Sequence, residues 1–503
     1  MLFEILKLLL DPTTLIAIAA SAVFGVFMGA VPGLTATMAT ALLVPVTFFL
    51  PPIPAIATMV TATAVAIFAG DIPGCLLRIP GTPASAAYTD ETYRMTRNGQ
   101  AELALGASLM SSAFGGLFGT AVLVVGAPAL AEFAIKFSSV EYFWLVLLGL
   151  TCAAGIGSAD PLKGLIALMV GLIVSMVGLN NPAGAARFTF GQTALLDGVA
   201  LIPMMVGMFA MSEILRFAAS DTRLRLEATK PTGSILRGVG GLFRRYPLPI
   251  LRGSALGTLI GALPGAGADI AAWMSYGISR RYSREPHKFG TGHPEGVLEA
   301  GAANNSALAG AWIPALVFGI PGDSITAIVI GVLFMKNLNP GPQLFTQNPV
   351  AIYSIFALFV IANLVMIPLG LAAIKVGARI VRVPRNIIMP LILVFCIVGS
   401  YAVNNSLFDV GMMLAFGALA FILEESGFPA SPAILGVILG AMLENYFITT
   451  MISSGGRLTA FVDRPIAAFL ALTVAALWIL PLLMRALGRK PAPVPQAERE
   501  EVT

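Results

Sequence analysis

The sequence has few residues that ionise or bind metals. Only 11% of its 503 residues are charged, and it contains three cysteines and two histidines. Ordinary soluble domains carry about 25% charged residues, so this composition argues against a soluble protein. Cys75, Cys152 and Cys396 form no Cys-x-x-Cys pair, which argues against a disulfide framework or a zinc site. His287 and His293 lie in one polar loop without metal-ligand or serine–histidine spacing, so we expect no enzyme, no cofactor and no resident metal.

Apolar residues supply 57% of the chain, and they occur in long continuous runs. Examples with almost no charge are Gly119–Ala134, Tyr142–Gly157, Val350–Ala373 and Ile387–Val403. A membrane-spanning helix needs about 20 apolar residues, and roughly eleven to thirteen hydrophobic segments can be counted. The sequence therefore predicts an all-α polytopic membrane protein embedded in a lipid bilayer. The net charge of +4 is typical of the positive-inside rule, so no nucleic-acid partner is expected.

A glycine-proline break occurs twice inside apolar sequence. Residues 25–33 (GVFMGAVPG) match residues 257–265 (GTLIGALPG), and an Ile-Pro-Gly break follows each copy, at 79–81 and 320–322. Matching interrupted helices in two halves of a membrane protein are typical of secondary transporters, whose sites lie at the breaks. The alternative is a Gly-xxx-Gly packing face with an ordinary proline kink, which is common in membrane helices. Duplication of both breaks favours the functional interpretation.

Charge divides the chain into four parts. Residues 216–252 carry eight Lys or Arg against two Asp or Glu, which predicts a basic cytoplasmic linker. It separates a first transmembrane repeat, 1–215, from a second, 253–485. Residues 486–503 are rich in proline and charge, which predicts a disordered tail, with the C-terminus in the cytoplasm.

Residues 253–279 lie between two basic segments, the linker and Arg280–Lys288. Both ends are therefore expected on the cytoplasmic side. Because 27 residues are too few for two crossings, we predict a re-entrant helical hairpin that turns at Pro264-Gly265. Inverted repeats are favoured over parallel ones, since two facing hairpins and their broken helices would meet at the midplane.

The breaks supply the candidate substrate site. Proline ends a helix, glycine admits a close ligand, and the next half-helix begins with free N–H groups that favour an anion. Hydroxyls and amides near a break suit a carboxylate or a hard cation. The candidate substrate-binding residues are Pro32, Gly33, Leu34, Thr35, Gly81, Thr82, Ser85, Pro264, Gly265, Ala266, Gly267, Asn304, Asn305, Gly322 and Ser324.

Three acidic residues stand close to the breaks. Asp71, Asp269 and Asp323 are candidates for coupling to a cation, because ionisable groups at membrane depth are costly and by default functional. The alternative for Asp71 and Asp323 is an interfacial position that faces water. Arg78, beside the first Ile-Pro-Gly, is either a counter-charge for a carboxylate or a side chain that snorkels to the interface.

The ordered motifs resemble a known family. They run from Gly25-xxx-Gly29-xx-Pro32-Gly33 and Ile79-Pro80-Gly81-Thr82-Pro83 to Asn304-Asn305, Ile320-Pro321-Gly322 and Gly427-Phe428-Pro429. Over about residues 15–470 the chain resembles the large membrane subunit of the tripartite tricarboxylate transporters, the TctA-like proteins. It departs from the family pattern at Thr35 and Gly301, where the family usually has glycine and glutamate.

The resemblance implies a three-part system in the bacterial inner membrane. Its other members would be a small membrane subunit of about four helices and a periplasmic solute-binding protein that delivers an organic anion. A Na⁺ or H⁺ gradient would then drive import of a tricarboxylate or similar carboxylate by symport. The rival hypothesis is a stand-alone anion channel or exporter that needs no binding protein. A membrane scaffold without transport is disfavoured, because it needs no duplicated helix breaks.

Overall fold

The computed structural model describes residues 1–156, 160–179, 184–219 and 233–486. These residues form α-helices without any β-strand. The helices are Leu2–Leu9 (α1), Pro12–Ala30 (α2), Ala36–Phe48 (α3), Pro52–Ala69 (α4), Asp71–Leu77 (α5), Ala86–Arg97 (α6), Ala101–Ala134 (α7), Ser139–Ile156 (α8), Pro161–Ser175 (α9), Leu201–Val206 (α10), Ser212–Ala219 (α11), Val239–Arg245 (α12), Pro247–Gly261 (α13), Gly267–Tyr282 (α14), Pro294–Phe318 (α15), Ser324–Met335 (α16), Pro342–Gln347 (α17), Pro349–Ile380 (α18), Arg385–Asn404 (α19), Leu407–Glu425 (α20), Ala430–Ser453 (α21) and Pro465–Ala486 (α22).

The predicted all-α membrane fold is confirmed. Eight helical stretches among the described residues are long and apolar enough to cross a membrane. They are Pro12–Ala30, Pro52–Leu77, Ala101–Ala134, Leu201–Ala219, Pro349–Ile380, Arg385–Asn404, Leu407–Glu425 and Ala430–Ser453. One of them joins α4 with α5, and another joins α10 with α11. A π-helical stretch, Gly207–Met211, makes α10 and α11 one continuous helix. The predicted tail lies outside the described residues, except for the end of α22.

The predicted linker, 216–252, is described only in part. Its residues 220–232 lie outside the described ranges, and the remainder includes α12 and the first turn of α13. The segment predicted as a hairpin at 253–279 is longer at both ends, since α13 begins at Pro247 and α14 ends at Tyr282. A proline in the first turn suits a helix start, because the N–H that it lacks has no helical partner there.

Two pairs of glycines bring helices into close contact in the same way. Gly25 and Gly29 of α2 press on α4, and Gly257 and Gly261 of α13 press on α15. A Cβ at any of these positions would overlap a backbone carbonyl oxygen of the facing helix. The carbonyls belong to Ala62, Ala66, Ala303 and Ala307. Small residues at such contacts let helix backbones approach, which is how helices associate without a hydrophobic driving force in lipid.

The halves of the chain interlock rather than lie side by side. Helix α15 packs along α7, α4 packs against α18, and α9 packs along α21. The two longest buried helical stretches, Pro52–Leu77 and α15, thus form the centre of the molecule. The two breaks that follow these stretches are therefore held inside the helix bundle.

Candidate functional site

Both proline-glycine turns require glycine. We call Pro32-Gly33 the first tip and Pro264-Gly265 the second tip, and we keep the word break for residues 79–81 and 320–322. Gly33 has φ +85° and Gly265 has φ +79°, and Gly267 two residues later has φ +63°. L-residues are disfavoured in this left-handed region, whereas glycine adopts it readily. After the first tip, Thr35 caps α3, because its Oγ1 accepts the Met38 N–H at 3.1 Å. Thr35 therefore has a local structural role that the sequence analysis did not assign.

The helices before the two Ile-Pro-Gly breaks end alike. Each ends in a left-handed residue, Arg78 with φ +61° and Gly319 with φ +69°. The N–H of that residue donates to the carbonyl four residues earlier, Gly74 at 3.0 Å or Ala315 at 3.1 Å. This is the pattern of an αL C-cap, which closes a helix and turns the chain away.

In each half, the chain at the Ile-Pro-Gly break folds back and lies beside the helix that ends in the tip of the same half. A Cβ at Gly81 would lie 2.7 Å from the Gly29 carbonyl oxygen, and a Cβ at Gly322 would lie 2.6 Å from that of Gly261. In the second half the Gly265 N–H also donates to the Gly322 carbonyl at 2.8 Å. The structure thus brings tip and break together in each half.

After each break, two polar residues three positions apart exchange hydrogen bonds. Thr82 and Ser85 exchange hydrogen bonds, with the backbone N–H of each donating to the other's hydroxyl at 3.1 Å. Asp323 and Thr326 do the same, with the Thr326 N–H on the Asp323 carboxylate at 2.8 Å and the Asp323 N–H on Thr326 Oγ1 at 2.9 Å. The pair of Asp323 and Thr326 is a capping box at the start of α16, whereas the pair of Thr82 and Ser85 closes the turn before α6. The spacing is visible in the sequence, and it would have identified Thr326.

Substitution of Asp323 by asparagine and by alanine should separate two roles, the helix cap described above and the predicted coupling to a cation. We expect Asp323→Asn to fold with little loss, because an amide oxygen still accepts the Thr326 N–H. Asp323→Ala should lose about 1 kcal/mol of stability with the cap. Thermal unfolding of both purified variants measures the cap, and uptake by Asp323→Asn reports on the charge. Equal stability of the two variants would contradict the capping role.

Asp269 is a carboxylate left uncovered by the protein among buried neighbours. Ala84 of the first break and Gly267 of the second tip are buried. The Ala84 N–H and the Asp323 carboxylate both lie close enough to act electrostatically on Asp269. Asp323 itself adjoins the tip, since a Cβ at Gly267 would lie 2.9 Å from its Cβ. Two carboxylates therefore meet where the first break, the second tip and the second break converge.

One face of α14 is bonded to the first break and to α6. Trp273, one turn beyond Asp269, donates its Nε1–H to the Pro83 carbonyl at 3.2 Å. The Tyr276 hydroxyl, almost one turn further, donates to the Glu91 carboxylate at 2.8 Å. Residues 269, 273 and 276 share a helix face. Helix α14 is thus hydrogen-bonded to the first break and to α6.

Asp71 is buried and hydrogen-bonded, away from this convergence. Its carboxylate accepts the Tyr88 hydroxyl at 2.7 Å and the Ser108 hydroxyl, and Asn304 Nδ2 donates to Tyr88 at 3.3 Å. No basic side chain pairs with Asp71 in the described ranges. The structure therefore excludes a water-facing interfacial position for Asp71 and joins it to Asn304. Tyr88 and Ser108 were not identified from the sequence.

Asn305 and Ser324 point to the outer helices. Asn305 Nδ2 donates to Asn363 of α18 at 3.2 Å, and its Oδ1 is buried without a partner among the residues described. Ser324 donates to Ser431, at the start of α21, at 2.7 Å. Arg78 pairs with Asp90 at 2.8 Å, and both side chains are exposed. Arg78 is therefore placed in a surface ion pair.

The site contains no ready-made metal cluster in the described part of the chain. No three His, Cys, Asp or Glu side chains converge there on a metal-sized space. A coupling cation at Asp269 and Asp323 would need hydroxyl or carbonyl oxygens as further ligands, which is ordinary for hard cations.

Comparison with known proteins agrees with the motifs. The model of the tripartite tricarboxylate transporter TctA family matches residues 15–435. A protein of Agrobacterium vitis, described as a 52.8 kDa protein in the TAR-I ttuC′ 3′ region, is 33% identical over 474 residues, which cover 94% of each chain. A second, from the TAR-II ttuC′ 3′ region, is 36% identical over 214 residues, or 42% of this chain and 88% of that one. No solved structure matches.

Proposed function

The chain belongs to the tripartite tricarboxylate transporter TctA family, and we propose that it is the large permease subunit of a binding-protein-dependent secondary transporter. It imports an organic carboxylate, a tricarboxylate or similar anion, across the bacterial inner membrane. A periplasmic solute-binding protein delivers the anion, a small four-helix subunit accompanies the permease, and a Na⁺ or H⁺ gradient drives symport.

The observation that supports this function most directly is the convergence at Asp269. The Asp269 carboxylate lies within electrostatic reach of the Ala84 N–H of one break and of Asp323, the acidic cap of the other. Two carboxylates favour a cation between them. Helix N-termini, such as those that follow the tips, favour an anion. Symport requires one transporter to bind both ions.

Two repeats of opposite orientation fit the same proposal. A glycine turn, an αL C-cap, a break that folds back and a reciprocal polar pair recur in the same order in the two halves. The outer ends of α13 and α14 carry Arg244, Arg245, Arg280 and Arg281, whereas residues 48–52 after α3 carry no charge. By the positive-inside rule, the outer ends of the second hairpin lie on the cytoplasmic side and those of the first on the periplasmic side. Alternating access moves the tips relative to the surrounding helices, and the C-terminus is cytoplasmic.

The test is uptake of labelled di- and tricarboxylates into proteoliposomes that hold this chain and its small partner. Uptake should require both the binding protein and a Na⁺ or pH gradient. Uptake that needs neither would overturn the proposal in favour of a stand-alone channel or carrier.

In the same assay Asp269→Asn should lose coupled uptake. A charge-assisted contact contributes about 1.5–3 kcal/mol, so the loss should be roughly ten- to a hundredfold. Asp463→Asn is the control, because Asp463 is exposed in the loop before α22. Gradient-dependent uptake by Asp269→Asn at the wild-type rate would remove Asp269 from the coupling site.

A further inference from the structure

In the described part of the chain, no basic side chain pairs with Asp269 or Asp323 at the convergence of the breaks. Its acidic residues, Asp269 and Asp323, repel an anion. Arg78, the basic residue nearest to a break in sequence, is paired with Asp90 on the surface. A carboxylate transporter nevertheless needs a positively charged group that stabilises the anionic substrate after it leaves water.

Arg385 occupies the first hairpin tip from the opposite end of the chain. It is the first residue of α19, and its guanidinium lies against the turn at Gly33. A Cβ at Gly33 would lie 2.6 Å from Nη2, 2.7 Å from Cζ and 2.8 Å from Nη1. These nearly equal distances mean that the planar group lies face-on over the glycine. A glycine at position 33 is thus needed for the approach of Arg385 as well as for the turn.

The Arg385 guanidinium has no partner within the described part of the chain. It makes no hydrogen bond and no ion pair there, although the residue is half-buried. Glu213, whose charge reaches Arg385, is bonded to Arg216 at 2.7 Å. The other partly buried arginines Arg187, Arg216 and Arg252 all pair with glutamates of distant helices. All five N–H donors of Arg385 are therefore unused by the residues that the structure describes.

We propose that Arg385 binds a carboxylate group of the transported anion at the first hairpin tip. The proposal rests on the function proposed above and names the residue that selects the charge of its substrate. An arginine fork matches both oxygens of a carboxylate, which a lysine cannot do. Helix α3 begins directly after the tip, so its positive end favours the same anion. The first tip then holds the anion, while Asp269 and Asp323 hold the cation.

The experiment compares Arg385→Gln and Arg385→Lys with the wild type in the reconstituted three-part system, using one labelled tricarboxylate and one monocarboxylate. The matched control is Arg382→Gln, an exposed arginine three residues earlier. We expect Arg385→Gln to raise the KM for the tricarboxylate by roughly thirty- to a hundredfold, since a paired charge is lost. Arg385→Lys should recover part of this loss, and Arg382→Gln should leave the KM within about twofold of the wild-type value.

Several outcomes separate this proposal from the function on which it rests. If the wild type transports nothing, the proposed function fails and the role of Arg385 fails with it. If the wild type transports and Arg385→Gln keeps its KM, only the role of Arg385 is overturned. A lower membrane level with unchanged KM likewise identifies a purely structural arginine. Should Arg385→Gln not insert, Arg385→Lys decides the matter, and guanidinium added to Arg385→Ala should restore uptake if the proposal holds.

Discussion

Replacing Gly265 by alanine or valine should abolish uptake. Gly265 turns the chain at φ +79°, a conformation that costs an L-residue about 1–2 kcal/mol. A Cβ there would also lie 2.5 Å from the Cα and 2.6 Å from the N of Ala153 in α8. Backbone atoms cannot swing aside as a flexible side chain does, so the tip would shift and the hydrogen bond from Gly265 to Gly322 would break. Uptake divided by membrane level is the measurement.

The matched control is Gly277→Ala, in the helix that follows the tip. No atom of another element lies within 4 Å of a Cβ at Gly277. This change should keep uptake and favour the helix by up to about 1 kcal/mol. Normal transport by Gly265→Ala at a normal membrane level would remove the second tip from the mechanism.

Replacing Glu91 by glutamine should produce the largest loss of stability. The Glu91 side chain is fully buried, and its carboxylate accepts four hydrogen bonds from the other half of the chain. The Tyr276 hydroxyl, Gly292 N–H and His293 N–H lie at 2.8 Å, and the Gly290 N–H completes the set. A glutamine amide would point a donor at other donors. We expect a loss of roughly 3 kcal/mol or more, since each buried group left unpaired costs about 1–3 kcal/mol.

Thermal unfolding of the purified protein in detergent checks this expectation. The neighbouring substitution Asp90→Asn is the control, because the exposed pair of Asp90 and Arg78 should contribute about 1 kcal/mol or less. A Glu91→Gln variant as stable as Asp90→Asn would show that the four bonds to Glu91 contribute little. Uptake at low temperature would also separate lost stability from lost function.

The positions of the tips and breaks could be predicted from the sequence because their causes are local. Proline and glycine restrict or free the backbone at their own positions, so residues 32–33, 264–265 and the two Ile-Pro-Gly breaks were identified directly. The cap that Asp323 forms with Thr326 is equally local, and its spacing is present in the sequence. The family resemblance, which depends on the order of these local motifs, is confirmed over residues 15–435.

The remaining parts of the site depend on contacts between distant residues. Asp71 meets Tyr88 and Ser108 only after α6 and α7 pack beside it, and Asn304 reaches Tyr88 across 216 residues. Arg385 reaches Gly33 from the second half. Adjacent Asn304 and Asn305 face different helices, because successive residues of a helix point about 100° apart. No motif in the sequence carries such pairings, since they follow from which helices become neighbours.

The bonds to Glu91 have a consequence for the order in which the protein is made. Tyr276 and His293 follow Glu91 by 185 and 202 residues. At the usual rates of synthesis these donors emerge about 10 to 40 s after the carboxylate that they satisfy. During that interval the newly inserted first half carries an unpaired acidic group, which is best accommodated in water at the membrane surface. Helix α6 is therefore expected to reach its final depth only when the loop before α15 arrives, so that the second half completes the insertion of the first.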